Sequence, residues 1–450
     1  MKYYYTIKEI IKKKKKIINK KVRIKGWVKY FRNNLFLEIN DGSTIKNLQV
    51  VLKKKNKEKI NIGITIEVLG KLIFKSNNKD IEIIPLYIKI FGKIDINFFN
   101  NSILQNKYHS LSKLRKQSYL RFRTKIFSSI IRVRHNLSIL IHNFFCNKNF
   151  FYINTPIINN YDTEGAGNMF NVTTLNIKEK YKNYKKDFFG CKANLTVSGQ
   201  LEAESAMLGL CRIYTFGPVF RADNSNTNKH LSEFWMVESE VMFFKLNKII
   251  KLSEKLIKFL IKKILINCIE ELNFLNNYNN NKLINLLNNI INNKFIKISY
   301  NKVIKLLNNY KKNIIKWGDD IGSIYEEILF KKIFNNNIPL IIYNYPKIIK
   351  PFYMKINKNN ITTKSFDILL PYIGEIIGGS ERENSYKKLF LRLKELKMNI
   401  KNISWYLNIR KLGTIYHSGF GLGFDRLVQF ITGMKNIRDV IPFPRYPKNI

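Results

Sequence analysis

The chain has 450 residues, enough for two or three domains and a sizeable core, and its 45% hydrophobic content fits a soluble globular protein. Its net charge of +47 suits a polyanionic partner such as RNA, but only weakly, because Lys, Asn, Ile, Phe and Tyr dominate and all have AT-rich codons. Four scattered cysteines, Cys146, Cys191, Cys211 and Cys268, form no CxxC pair, which argues against a zinc site or disulfide framework; no window approaches the ~18 continuous apolar residues of a membrane span.

The basic start, MKYYYTIKEIIKKKKK, lacks an apolar core followed by a small-residue cleavage site, so it does not read as a signal peptide. From residue 21 to about 92, five short β-branched runs are separated by Asn, Gly and Lys turns, which predicts a small barrel of the OB type. Such barrels bind single-stranded nucleic acid through stacking aromatics and polar edge readers. Phe36 and Gln49 lie on adjacent predicted strands, with Arg32 just before. Taken singly, Phe36 fits a core position and Gln49 a solvated strand position better than a binding role. Residues 95–118 read as a linker, and residues 127–146 as a helix with apolar residues at helical spacing.

FFYINTPIINN is a strand meeting Pro156, which belongs at an edge or bulge. TEGAG places Glu164 at the mouth of a turn that permits close backbone approach, although a plain loop would look the same. ANLTVSGQLEAES is strand, turn and helix, with Ser198 and Gln200 at the turn and Glu202 and Glu204 where the helix dipole favours them. FGPVFRADNSNTNKHLSEFWMVESEVMFF is a hairpin with Arg221, Glu233, Glu238 and Glu240 in its strands. Buried charges need partners or a ligand, and an arginine fork suits a phosphate. An edge hairpin with a solvated polar face would carry the same pattern.

Residues 246–337 read as supporting helices with Asn runs between them. Asp367 and Glu375 then flank LLPYIG, and two converging carboxylates suit Mg²⁺. Gly378 and Gly379 allow close approach, and Arg382 offers a second fork. In HSGFGLGFDRLVQF, glycines 419, 421 and 423 run into a helix with Arg426 in its first turn. A dinucleotide fingerprint fails here, for want of the third glycine and a following βαβ unit. A bare glycine strand lets a planar ring lie on backbone, which suits an adenine nucleotide.

Together these segments resemble the class II aminoacyl-tRNA synthetases of the aspartate/asparagine/lysine subgroup. The helix with FFYINTPIINN matches motif 1, VFRADNSNTNKHLSEFWMVESE motif 2 and GFGLGFDRLVQFITG motif 3. TEGAGNMF, TVSGQLEAE, GEIIGGSERE and the barrel match subgroup features. FWMVESE and ADNSNT resemble the asparagine-charging members. The resemblance implies an α+β chain: an OB-fold anticodon-binding domain at 1–95, a linker at 96–120, and a catalytic domain at 121–450 with a helical insertion at about 250–335. It implies a seven-stranded sheet, six antiparallel strands plus one, and a cytoplasmic homodimer built on motif 1.

The implied activity joins L-asparagine to tRNA(Asn) with ATP and Mg²⁺. The implied roles are Arg221 and Arg426 in catalysis and on ATP, Asp223 and His230 also on ATP, and Asp367 and Glu375 on the metal, Glu375 touching ATP as well. Glu164, Ser198 and Gln200 hold the substrate amino group, Arg382 its side-chain carbonyl oxygen and Glu238 its amide. Arg32, Phe36 and Gln49 read the anticodon. Asp223 departs from the family's usual Glu by one methylene. Two rivals share the fold: a barrel on a degenerate, inactive synthetase domain, and an adenylate-forming enzyme that uses no tRNA.

Overall fold

The computed structural model describes residues 4–52, 60–77, 79–163, 168–176, 183–225, 227–334 and 337–450. The chain divides into two compact units, Met1–Arg132 and Val133–Ile450.

In the first unit, β1 (Lys21–Arg32), β2 (Phe36–Asn40), β3 (Leu48–Val51), β4 (Thr65–Phe74) and β5 (Ile81–Gly92) close into a barrel in the order β1-β2-β3-β5-β4. This is the OB-type barrel expected from the strand spacing. Alternation builds it: Val22, Ile24 and Val28 on β1 and Leu37 and Ile39 on β2 point inward and are buried. Two glycines let the strands turn tightly. A Cβ at Gly26 would lie 2.6 Å from the Asn40 carbonyl oxygen, and one at Gly70 2.4 Å from that of Ile84.

The sequence reading missed a helix at Ile7–Ile17. Its lysine run disguises Ile7, Ile10 and Ile17, which join the barrel core. Thr6 and Glu9 form a capping box at its start, satisfying helix-end amides that would otherwise lack partners.

In the second unit, Val133, Leu137, Ile141 and Phe145, from the part of the helix Lys125–Cys146 that belongs to it, are buried. Three short strands, β7 (Ile158–Asn159), β8 (Asn171–Val172) and β9 (Ala193–Leu195), form a small sheet in the order β7-β9-β8. The main sheet uses β6 (Phe151–Tyr152), β10 (Arg212–Phe220), β11 (Glu233–Met242), β12 (Ile296–Ser299), β13 (Leu340–Tyr343), β14 (Ser365–Leu370), β15 (Gly374–Glu381) and β16 (His417–Gly423). Its order is β12-β13-β14-β15-β16-β11-β10-β6. The six inner strands are mutually antiparallel, while β6 pairs parallel with β10 and β12 parallel with β13.

The sheet therefore has eight strands rather than the seven implied. The additional strand, β12, lies in the segment read as helical. Ile296 and Ile298 are too short an alternation to stand out among Asn, Ile and Lys. Helices elsewhere in that segment, including Leu246–Asn267, cover the sheet. Leu246–Asn267 buries a stripe from Ile249 to Ile264 and packs across β15 and β16. Among the described residues, no helix is long and apolar enough to cross a membrane.

Candidate active site

The site begins with the register of β11 against β16. Met236 pairs with Gly423, Glu238 with Gly421 and Glu240 with Gly419. Side chains on one face of β11 thus lie over a partner strand without side chains. The room is needed: a Cβ at Gly419 would sit 2.1 Å from Glu240 Oε1, and one at Gly421 2.8 Å from the Met236 methyl. The glycines that suggested a nucleotide floor also make space for Glu240 and for the Met236 methyl, and both carboxylates of this face, Glu238 and Glu240, are buried.

Those carboxylates have different partners. Glu240 is fully buried and accepts from Nε and Nη2 of Arg382, whose Nη1 donates to Ser380 Oγ at 2.6 Å. Burial opposes charge on Arg382, but Glu240 outweighs it and holds the guanidinium above its usual range. Neither residue lines the cavity beyond the glycine strand. Glu238 does line it. It accepts from Ser198 Oγ, from the Gly199 N–H at 2.9 Å and from Thr215 Oγ1 at 3.3 Å. Ser198 in turn accepts the Gln200 N–H at 3.1 Å, as a helix-start residue should. Gln200 also lines the cavity, and its Nε2 is buried with no partner among the described residues. A native structure rarely leaves such a donor unpaired unless something else binds there.

The cavity, about 710 Å³, extends from this end to Arg221, Asp223, His230 and Arg426. Arg221 sits just past β10, its N–H bonded to the Ser232 carbonyl at 2.9 Å. Arg426 lies in the first turn of the helix Phe424–Thr432 and donates to the Glu375 carbonyl at 2.9 Å. His230 bonds Thr227 and Ser225 through Nδ1. Burial and then Arg426 push its pKa down, so the imidazole is neutral near pH 7. Behind it, Asp425 accepts the Trp235 N–H at 2.7 Å and an ion pair from Arg134, joining β11 to two helices.

Asp367 and Glu375 lie on neighbouring strands and converge over Gly378. A Cβ there would be 3.0 Å from Glu375 Oε1 and 3.5 Å from Asp367 Oδ1. Burial pushes the Asp367 carboxyl up to about 6, opposed by Lys350, whose Nζ is 2.6 Å from Oδ2. Lys350 was not picked out from the sequence, where it is one lysine in a lysine-rich background. Among the described residues, no group of three or more His, Cys, Asp or Glu could hold a metal. Two carboxylates do match Mg²⁺, which takes one or two from protein and the remainder from phosphates and water.

One expectation about the helix Gln200–Leu210 is corrected. Glu202 is the acidic residue of its first turn, whereas Glu204 lies beyond that turn and is fully buried. It bonds Arg410, Tyr406 Oη at 2.5 Å and His417 Nε2 at 2.7 Å. Although burial raises its pKa, Arg410 and His417 hold it at about 2.

Glu164 lies outside the described residues. Arg32, Phe36 and Gln49 belong to the barrel unit. There, Arg32 pairs with Phe36 across β1 and β2, and Glu38 with Gln49 across β2 and β3. Arg32 donates to Glu38 Oε1 at 3.1 Å, and Lys75 to Gln49 Oε1 at 2.6 Å. Phe36 is 37% exposed, an outward ring rather than a core one.

Residues 110–447 match the family of class II tRNA synthetases (D, K and N). The asparagine–tRNA ligase of Azobacteroides pseudotrichonymphae is 47% identical over 449 residues, covering 96% of each chain. That of Borreliella burgdorferi is 46% identical over 466 residues, covering 99% of each. The crystal structure of asparaginyl-tRNA synthetase from Pyrococcus horikoshii complexed with asparaginyl-adenylate superposes with a TM-score of 0.87 at 30% identity, covering 100% of both chains. The chain belongs to the class II tRNA synthetases of the aspartate, lysine and asparagine group, and within it to the asparagine–tRNA ligases.

Proposed function

We propose that this cavity converts L-asparagine and ATP to asparaginyl-adenylate and diphosphate, then transfers asparagine to the 3′-terminal adenosine of tRNA(Asn). The observation that carries this is the joining of two half-sites in one cavity. One end has Arg221 and Arg426; the other has a buried carboxylate and an unpaired amide. The asparagine carboxylate oxygen attacks the α-phosphorus, and the bond to diphosphate breaks with its electron pair on the leaving group. A terminal ribose hydroxyl of the tRNA then attacks the acyl carbonyl, and AMP leaves. No covalent enzyme intermediate is needed, so the protein's part is positioning and charge stabilisation.

Arg221 holds the α-phosphate and Arg426 the nucleotide. Asp223 faces the adenine side, and neutral His230 lies toward the γ-phosphate. Asp367 and Glu375 hold Mg²⁺, which neutralises phosphate charge when bound. Ser198 and Gln200, with Glu164, take the substrate amino group. Glu238 reads the amide, since the alternative reader Glu240 is spent on Arg382. Arg382 is held by Glu240 and Ser380 and does not line the cavity, so a role on the substrate carbonyl oxygen requires it to turn toward the glycine strand. Residues 1–95 form the anticodon reader, with Arg32, Phe36 and Gln49 at its surface; residues 96–120 are the linker and 121–450 the catalytic domain.

A cytoplasmic homodimer through motif 1 fits the exposed Phe151 and Tyr152 on edge strand β6 and the exposed Ile157 and Ile158. The rival without tRNA would have no use for the barrel. The reading is tested by Arg221→Ala, which should abolish asparagine-dependent ATP–pyrophosphate exchange while the protein stays folded. Near-normal exchange in that variant would refute the assigned role.

A further inference from the structure

We propose that Lys350 is the resident counter-ion of the Asp367–Glu375 pair and makes a divalent cation bind there only together with ATP. The inference rests on the reading of those two carboxylates as metal ligands. Lys350 follows the short turn Lys347–Ile349 and precedes Pro351. A following proline disfavours helical backbone, and Lys350 is extended, at φ −120° and ψ 147°. From there its ammonium lies 4.0 Å from the Tyr345 ring centroid and 2.6 Å from Asp367 Oδ2. Only 13% of the Lys350 side chain and 8% of that of Asp367 is exposed, and both residues line the cavity.

The two oxygens of Asp367 therefore have different duties. Oδ2 is held by Lys350, while Oδ1 is the oxygen that converges with Glu375 Oε1 over Gly378. The ammonium, together with a hydrogen bond from the Tyr345 hydroxyl, fixes the carboxylate with one oxygen turned toward its neighbour. Charge adds a second effect. Asp320 also lines this cavity and acts electrostatically on Lys350, as do Asp367 and Glu375. Without the Lys350 ammonium, the converging Asp367 and Glu375 carboxylates would keep their full charge, with that of Asp320 added from the same cavity, and would attract a divalent ion. With it, a hydrated cation arriving alone meets a site whose charge is partly neutralised. ATP changes the balance, because its phosphates complete the coordination of Mg²⁺ and offer Lys350 new partners. Lys350 is thus a positioning residue that keeps the site from filling with metal before the nucleotide arrives.

Mn²⁺ binding to the full chain, followed by electron paramagnetic resonance with and without ATP and with no amino acid present, tests this. The wild type should bind Mn²⁺ weakly alone and tightly with ATP. Lys350→Met should raise affinity in the absence of ATP by at least about tenfold, a conservative figure for removing a unit charge a few ångströms away. The enhancement by ATP should shrink correspondingly. Lys350→Gln keeps a donor for Asp367 and should behave alike, which covers the case in which the Met variant fails to fold. Lys350→Arg should stay near the wild type. Unchanged or weaker Mn²⁺ binding without ATP in folded Lys350→Gln would overturn the proposal. Asp367→Asn separates the two levels. If it leaves Mn²⁺ binding with ATP intact, the metal-ligand reading itself fails; if it abolishes that binding while Lys350→Gln changes nothing, only the role of Lys350 fails.

Discussion

Replacing Glu238 by Gln changes one atom in a buried carboxylate that accepts three bonds from its own protein, from Ser198, Gly199 and Thr215. The Gly199 N–H is a fixed donor, so the remaining amide oxygen must face it, and the new NH₂ group faces Ser198 and the cavity. An asparagine amide in the cavity then meets a donor where it had an acceptor. A hydrogen bond to a charged group contributes about 1.5–3 kcal/mol, and taking about 2 kcal/mol as lost lowers kcat/KM for asparagine about thirtyfold. Aspartate gains instead, because two like charges about 4 Å apart repel by about 4 kcal/mol at an effective dielectric of 20, and the variant removes that repulsion. The asparagine-to-aspartate ratio in ATP–pyrophosphate exchange should therefore fall by at least about a hundredfold. An unchanged ratio in Glu238→Gln, together with a changed one in Glu240→Gln, would refute the reasoning and move the discrimination to the Glu240–Arg382 pair.

Phe36→Ala should weaken tRNA charging by about 1–3 kcal/mol of lost base stacking and leave asparagine activation alone; equal slowing of both would contradict the division of labour between the units. Gly419→Ala drives a methyl into the buried Glu240 carboxylate and should cost about 1–3 kcal/mol, read as a lower midpoint in urea; an unshifted midpoint would show that β11 and β16 can part without cost. Glu202, which accepts from Tyr161 Oη, has its pKa raised to about 7 by burial, with Glu238 adding to it. The folded state thus holds a proton that the unfolded state releases near 4.5, so this contribution is complete below 4.5 and is lost as pH rises to about 7. Glu202→Gln should flatten the stability profile across that window; an unaltered slope would remove Glu202 as its source.

Several residues singled out in the sequence come together in one cavity, while parts of the framework around them were not legible. Arg221, Asp367, Glu375 and Arg426 stand beside glycines, prolines and turns, so their spacing carries a signal even within a biased composition. Ser198 and Gln200 stood out at a strand-to-helix turn, where helix capping accounts for Ser198 equally, and their substrate role came only from the resemblance. Lys350 was not readable. Its distinguishing feature is a following proline and a buried acidic partner seventeen residues away, and only folding brings the two together. The same holds for Glu204 with Arg410, more than two hundred residues apart. Glu204 also sat where the helix dipole gave it a sufficient local explanation. The helix Ile7–Ile17 and the strand β12 were hidden by composition, one under lysines and the other among asparagines and isoleucines.

On the proposed function, one cavity joins ATP to asparagine and not to its acid. Pyrophosphate exchange by the wild-type protein, run side by side with asparagine and with aspartate, measures that directly. Robust exchange with asparagine and little with aspartate is the predicted result. Exchange with neither amino acid, or preference for aspartate, would contradict it.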